Sequence, residues 1–453
     1  MNVIVAGCGK IGQNIIENLV KEGHNIVAIE RSGEVINEVS DVYDITTVLG
    51  SAVDCDVLSE AGADNCDLFI AMTGSDEFNM LACYLAKKMG AKETIARIRN
   101  PEFNDKSLSF LRQQLFLSMS INPEALAAKD IYNTLKFPGA IKIENFSRRN
   151  LEMIEVLVKE NSAINGLSIT KMREKSSAKC LICAVQRDGE VFIPDGNFIF
   201  KPGDKVGITA SPAEIAKFFK DLKSRTKNSK NIMLLGGSKT AFYLSKMLIE
   251  DGSSVKIIDR DEQRCKELCD WLPEASIVHG DGSRQEVLVE EGLLQVDAFV
   301  ALTGFDEQNV LIAMYAAERN VPKVAAKINH QALIPMANKL GLDSTISQAD
   351  ITSSIIVGFA RALENSMGSK VETLYKVMDG KVEALEFVVK SDSALVEKSV
   401  KDIPLIENTL IAGIMRGRRT IIPSGDDVIL SGDNVIVITT RAHIQDLSDI
   451  IKK

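Results

Sequence analysis

Residues 1–220 recur as residues 230–453 almost without gaps, so any fold proposed for one half must serve the other as well. Glu30 closes the apolar run Ile26-Val27-Ala28-Ile29 and Asp259 closes Val255-Lys256-Ile257-Ile258, a register of 259 − 30 = 229. Ala71-Met72-Thr73-Gly74-Ser75-Asp76-Glu77 returns as Ala301-Leu302-Thr303-Gly304-Phe305-Asp306-Glu307, a register of 301 − 71 = 230. Ile193-Pro194-Asp195-Gly196 matches Ile422-Pro423-Ser424-Gly425, and Pro202-Gly203-Asp204 matches Ser431-Gly432-Asp433. A chain of 453 residues exceeds what one hydrophobic core supports. The duplication therefore divides it into four domains, at 1–136, 137–222, 231–368 and 369–453.

The first segment alternates short apolar runs at 3–6, 25–30, 67–72 and 94–98 with stretches of helical length, the first of them over 11–22. Strands alternating with helices imply a parallel sheet with right-handed crossovers. A last strand over about 116–121 leads to Pro123, placed where proline is tolerated at a helix start, and the helix over 124–136 carries Leu126, Ile131 and Leu135 on a stripe. Beyond Phe137-Pro138-Gly139 the period becomes that of strands with Gly and Pro turns, as in Arg187-Asp188-Gly189 and Pro202-Gly203-Asp204, and a helix near 212–222 ends this β-rich lobe. The polar run Lys223-Ser224-Arg225-Thr226-Lys227-Asn228-Ser229-Lys230 reads as a solvated linker. In the second half the helix over 351–363 is apolar on more than one face through Ile355, Ile356, Val357, Phe359 and Leu363, which calls for two packing partners.

Gly7-Cys8-Gly9-Lys10-Ile11-Gly12 follows a strand and opens a helix, the context that makes a glycine pattern a dinucleotide-binding fingerprint. Gly7 permits the tight turn, Gly9 lets backbone N–H groups approach a pyrophosphate, and Gly12 lets the helix press on the sheet. The helix N-terminus then favours phosphate charge. Glu30, 18 residues beyond Gly12 at the end of the next strand, is placed to accept hydrogen bonds from ribose hydroxyls and to repel a 2′-phosphate, although Arg31 beside it weakens that exclusion. The expected ligands are NAD(H), ATP or ADP. Lys10 reads either as a charge for a terminal phosphate or as an ordinary exposed helix lysine. The second copy reads Gly236-Gly237-Ser238-Lys239-Thr240-Ala241, with Ser238 narrowing the approach, while Asp259, followed by Arg260, keeps the ribose carboxylate. This second cleft is expected to bind more weakly, to hold a smaller adenosine ligand, or to stay empty.

Thr73-Gly74 and Thr303-Gly304 fall at strand ends in the crevice where open parallel sheets bind ligands. Asp76 and Asp306 begin the next helices, where acidic residues also serve as ordinary dipole complements. Arg97 and Arg99 alternate with Ala96 and Ile98, which places both guanidiniums on one face, and Lys327 stands in the place of Arg97 in the second copy. Each half thus reads as an α/β unit, a Rossmann-like parallel-sheet domain followed by a small α+β, β-rich lobe.

Composition narrows the function. Asp and Glu number 62 against 53 Lys and Arg, a net charge of −9, which disfavours nucleic-acid binding and adsorption to an anionic membrane surface. No apolar stretch approaches the roughly 20 residues that span a bilayer, and residues 1–6 lead straight into a strand, so the expectation is a soluble cytosolic protein without membrane insertion. The eight cysteines are scattered and read as reduced thiols. Cys180 and Cys183 lie on opposite faces of a strand, Cys265 and Cys269 lack a second ligand pair, and no metal site is expected. His24, His279, His330 and His443 fall in no motif that supplies an acid or base. Two nucleotide folds without a reactive group describe a sensor; the fingerprint alone also permits an NAD-dependent oxidoreductase.

With the fingerprint, the ribose acid, the Thr-Gly-x-Asp-Glu loop and the β lobe all duplicated, the whole chain resembles the TrkA family, peripheral regulatory subunits of Trk potassium-uptake systems. The resemblance implies that each half is a regulator-of-potassium-conductance unit. It also implies a homo-oligomeric ring, four chains in this duplicated form, beneath a TrkH-like potassium-translocating subunit at the inner face of the cell membrane. It places phosphates over Gly7, Gly9, Lys10 and Gly12, ribose on Glu30, adenine near the loop after the third strand, and Arg97 close to phosphates at a lobe interface. That third-strand loop often reads Gly-Asp-Ala or Gly-Asp-Gly in the family. Here it is Gly50-Ser51-Ala52 in the first copy and Gly280-Asp281-Gly282 in the second, so each cleft keeps part of the pattern. The expected mechanism is that ATP or NADH, against ADP or NAD, selects different angles between adjoining lobes.

Overall fold

The computed structural model describes every residue except 104, 138–139, 147–150, 223–228, 343, 367–370, 379, 418, 442–443, 445 and 453. Most of the basic connector after the first lobe, the Pro138-Gly139 turn and His443 therefore lie outside the described residues. Four sheets follow one another along the chain. The first holds β1 (Asn2–Ala6), β2 (Asn25–Glu30), β3 (Thr46–Leu49), β4 (Leu68–Ala71), β5 (Glu93–Arg97) and β6 (Met119–Ile121). The second holds β7 (Ala140–Phe146), β8 (Leu151–Leu157), β9 (Leu181–Arg187), β10 (Glu190–Phe192) and β11 (Lys205–Ala210). The third holds β12 (Asn231–Leu235), β13 (Ser254–Asp259), β14 (Ser276–His279), β15 (Ala298–Ala301), β16 (Lys323–Lys327) and β17 (Thr345–Ile346). The fourth holds β18 (Val371–Val377), β19 (Val382–Val388), β20 (Thr409–Arg416), β21 (Arg419–Ile421) and β22 (Asn434–Thr439).

The chain divides into two compact units, and each gathers a piece of both halves: residues 1–132 with 230–357, and residues 133–229 with 358–453. In the first unit both sheets are parallel, with strand orders β3-β2-β1-β4-β5-β6 and β14-β13-β12-β15-β16-β17. This is the doubly wound arrangement in which the order reverses beside the first strand. The central strands are buried on both faces, which is why they read as unbroken apolar runs: Leu68, Phe69, Ile70 and Ala71 on β4, and Ala298, Phe299, Val300 and Ala301 on β15. The reversal opens a crevice at the carboxyl ends of β1 and β12.

Two sequence expectations shift. The last strand of the first sheet starts at Met119 rather than near 116, because Phe116 adopts φ 55° in the turn that follows the helix Asp105–Gln114. The second-half helix runs over Gln348–Ser366, and on it Ile356 and Val357 are buried whereas Ile355 is exposed.

The second unit pairs the two β lobes. Both sheets are antiparallel, ordered β10-β9-β11-β8-β7 and β18-β19-β22-β20-β21. One core draws on both, with Leu151, Met153 and Cys183 from the first lobe against Met378, Ala412, Met415 and Ile436 from the second. Glu155 stabilises this contact by accepting the Met378 N–H at 2.9 Å. Each lobe repeats one internal pair. Arg187 forks onto the fully buried Asp204 through Nε and Nη2, both at 2.7 Å, and Arg416 does the same to Asp433 at 2.9 Å. The turns read in the sequence as Pro202-Gly203-Asp204 and Ser431-Gly432-Asp433 are thus fixed by a carboxylate that reaches back to its own sheet.

Candidate functional site

At the end of β1 the chain turns through Gly7, φ 99°, where a Cβ would stand 2.9 Å from the Met72 carbonyl carbon and the Thr73 nitrogen. The tight turn therefore needs glycine there. Gly12 is needed for a different reason: a Cβ on it would collide with the Gly7 carbonyl oxygen. Around Gly9 nothing of the protein lies within 4 Å of the place a Cβ would take. Gly9 is also the N-cap of the helix Lys10–Lys21, and no side chain caps it. Free N–H groups facing open space at a helix N-terminus form an anion site. Cys8 is buried in the loop, and burial, followed by the charge of Glu30, pushes its thiol up to about 12, so it stays neutral. Ile11 packs half-buried on the first turn.

Glu30 at the end of β2 organises this loop. Its Oε2 accepts the Cys8 N–H at 2.8 Å, and its Oε1 accepts those of Arg31 at 2.7 Å and Ser32 at 3.2 Å. Arg31 reaches over to Ser51 Oγ at 2.7 Å and lies 4.2 Å from the Phe78 ring centroid, bridging the two sides of the crevice. Ala52 is buried beneath. Thr73 and Gly74 form the facing rim. The Thr73 hydroxyl donates to Asn79 Oδ1 at 2.6 Å, and Asn79, fully buried, donates in turn to the Thr73 and Arg97 carbonyls. Asn309 repeats each of these bonds around Thr303 and Lys327. Sequence reasoning passed over both asparagines, yet 309 − 79 = 230, so the repeat carried the signal.

Asp76 is buried, and its Oδ2 accepts the N–H groups of Arg99 and Asn100 at 2.9 and 2.7 Å. Asp306 does the same for Asn329 and His330. Both aspartates thus tie the helix start to the loop after the next strand. Arg97 pairs with Glu124 at 2.8 Å, and Arg99 approaches the same oxygen at 3.6 Å, so the two guanidiniums do share a face.

The two nucleotide folds meet at these charges. Lys10, on the first phosphate loop, stands 3.7 Å from Asp306 of the second half. Lys327 is buried, and that burial holds its amine below the ordinary lysine value of 10.5, against the opposing pull of Asp306 and Glu124. The junction is completed by Asn14 donating to Asp350 at 2.9 Å, Asn122 donating to the Tyr243 hydroxyl at 3.0 Å, and that hydroxyl donating to the Arg99 carbonyl at 3.0 Å. Neither Tyr243 nor Asn122 belongs to a motif; only the fold brings them together.

In the second half a cavity of about 410 Å³ opens at the corresponding place. Gly236, Gly237, Ser238, Asp259, Arg260, Asp281, Gly282, Thr303 and Gly304 all line it, whereas Lys327 and Asp306 do not. Asp259 accepts the Gly237 N–H and, at 2.8 Å, that of Asp261, matching what Glu30 does in the first half. Arg264 and Phe305, which sequence reasoning did not single out as site residues, line the cavity as well.

Two doubly wound folds, each with a glycine turn, a carboxylate at the end of its second strand and a polar rim, joined through their charged helix starts and accompanied by paired antiparallel lobes, define a duplicated nucleotide-binding fold of the Rossmann class. Residues 3–112 and 232–348 match the TrkA-N domain, and residues 153–223 and 384–452 match the TrkA-C domain. The chain belongs to the TrkA family. It is 30% identical over 459 residues to the Trk system potassium uptake protein TrkA of Vibrio alginolyticus, covering 100% of this chain and 99% of that one. It is 29% identical over 452 residues to a TrkA homolog of Archaeoglobus fulgidus, covering both in full. Among solved structures the fold resembles the GsuK RCK domain, with a TM-score of 0.65 at 15% identity over 96% of this chain and 92% of that one. It also resembles a GsuK channel bound to NAD, with a TM-score of 0.64 at 15% identity over 97% and 76%.

Proposed function

We propose that this chain is the nucleotide-sensing regulatory subunit of a potassium-uptake system. It acts at the inner face of the cell membrane, as a ring of four copies beneath a TrkH-like potassium-translocating subunit, and it gates transport without consuming its ligand. The reading is supported by membership in a family whose relatives carry the name Trk system potassium uptake protein, and by a fold shared with a channel captured with NAD. The observation that carries it is the contact between Lys10 and Asp306. A phosphate bound over Gly9 attracts Lys10 and weakens its hold on the other half. Occupancy of the cleft is thereby converted into a change in how the two nucleotide folds meet.

The ligand class is NAD(H), ATP or ADP, held by Gly7 to Gly12 at the phosphates, Glu30 at the ribose, and Ser51, Ala52, Thr73 and Gly74 along the base and rim. A ligand shifts a conformational balance only by binding its two forms unequally. A coupling of about 1–3 kcal/mol per site, repeated around a ring, suffices to bias a gate. Reconstitution with a potassium-translocating membrane subunit in vesicles tests this. Potassium flux should change on adding one of ATP, ADP, NAD or NADH, and the nucleotide should be recovered unaltered. Flux indifferent to all four, or failure of the two proteins to associate, refutes it.

A further inference from the structure

The two clefts are built differently, and we infer that the second takes an adenosine carrying a single phosphate, whereas the first takes the longer phosphates and dinucleotides. This rests on reading the first cleft as a nucleotide site. At the first cleft the helix Lys10–Lys21 begins at a bare glycine and offers its N–H groups to solvent. At the second, Ser238 caps its own helix, its Oγ accepting the Ala241 N–H at 3.3 Å. One of the donors a pyrophosphate needs is already satisfied, and the serine side chain stands where the close approach would occur.

The floor of the phosphate loop differs too. Cys8 of the first half is replaced by Gly237, and a Cβ on Gly237 would meet the side chains of Leu268 and Arg264. Arg264 lies over the glycine, with its Nε donating to the Gly237 carbonyl and its Nη1 paired to Glu267 at 2.8 Å. Its counterpart in the first half, 264 − 229 = 35, is Val35. A guanidinium that lines the cavity beside a narrowed loop supplies charge for one phosphate, although it already shares that charge with Glu267. Ribose and base are still provided for. Each Asp259 oxygen accepts one backbone N–H and keeps a lone pair for a hydroxyl. Phe305 is 54% exposed at the rim with Arg260 5.6 Å from its ring centroid, a flat surface on which a purine stacks. The cavity of about 410 Å³ lies toward the small end of the roughly 300–1,000 Å³ typical of ligand cavities, which suits a mononucleotide.

Gly9→Ala, whose added carbon meets no protein atom, should weaken the first cleft about tenfold and so bring the second into view in calorimetric titrations with AMP, ADP, ATP and NAD. Fluorescence of Trp271, the one tryptophan in the chain, whose ring lies 5.0 Å from Arg264, gives a local readout of the second cleft. AMP should bind about tenfold more tightly than ADP, ATP or NAD. Adding Ser238→Gly, a replacement that helix N-caps tolerate, should tighten ADP by about tenfold and leave AMP within about twofold. Tighter binding of ADP, ATP or NAD than of AMP, no binding of AMP, or an order of affinities unmoved by Ser238→Gly overturns the inference. Nucleotide binding by the unmutated protein that Gly9→Ala abolishes entirely removes this inference alone. No binding by the unmutated protein removes the first-cleft reading as well.

Discussion

Replacing Glu30 with alanine removes the carboxylate that orders the phosphate loop and on which the proposed ribose contact rests. In the empty protein it holds the backbone N–H groups of Cys8, Arg31 and Ser32. Hydrogen bonds to a charged acceptor contribute about 1.5–3 kcal/mol each when buried, but the Arg31 N–H is exposed and water replaces its partner readily. The loss to the empty loop is then about 1 kcal/mol. With ligand bound, the ribose hydroxyls lose their acceptor as well, and the combined effect on binding is about 1.5–3 kcal/mol, or roughly ten- to a hundredfold in affinity. Glu30→Asp is the internal control. Asp259 makes the counterparts of two of these three backbone contacts, those to Cys8 and Ser32, with a shorter side chain, so this variant should stay within about fivefold of the unmutated protein. Calorimetric titration with ATP and NADH measures both, with circular dichroism to verify the fold. An alanine variant within about twofold of the unmutated protein would refute the placement of ribose on Glu30.

Gly12→Ala forces a Cβ into the Gly7 carbonyl oxygen and should lower the unfolding free energy by about 1–3 kcal/mol, whereas Gly9→Ala should leave thermal stability unchanged and weaken nucleotide binding by about tenfold; equal melting temperatures for the two would contradict the separate glycine roles. Arg187→Ala takes the guanidinium from the fully buried Asp204 and leaves it, among the described residues, the Lys201 N–H, at a cost of about 2–3 kcal/mol, and Arg416→Ala should cost less because that guanidinium is more exposed, which denaturant melts of both variants will decide. Lys327 holds its proton less tightly folded than unfolded, so its contribution to stability should rise as pH climbs through the alkaline range toward 10.5, and Lys327→Met should abolish that part of the slope in paired denaturation curves.

The doubly wound sheets were legible because their strands are buried on both faces and so appear as apolar runs between helical stretches, at the same register twice. The glycine turn was legible because Gly7 needs a positive φ and Gly12 must clear the Gly7 carbonyl, constraints that a six-residue pattern records, although the Met72 and Thr73 backbone that also crowds Gly7 lies far along the chain. The junction between the nucleotide folds was not. Lys10, Asp306, Glu124 and Lys327 lie far apart along the chain: Lys10 reads as a phosphate charge or an exposed helix lysine, Asp306 as a dipole complement and Lys327 as the counterpart of Arg97, and nothing in the spacing pairs them. Asp76 illustrates the difference: its position at a helix start suggests a dipole partner, but its work is to accept two N–H groups from the loop after β5. Arg264 was invisible for a related reason. Its role depends on Gly237 lacking a side chain 27 residues earlier, a correlation that spacing does not reveal.

The central claim is that adenine nucleotide in the first cleft is sensed rather than converted. Calorimetric titration of the purified protein with ATP, ADP, NAD and NADH, followed by chromatographic recovery of each ligand after prolonged incubation, tests it most directly. The account predicts saturable heat that Glu30→Ala diminishes and quantitative recovery of intact nucleotide. No heat from any of the four, or recovery of a hydrolysed or oxidised product in catalytic amounts, would contradict it.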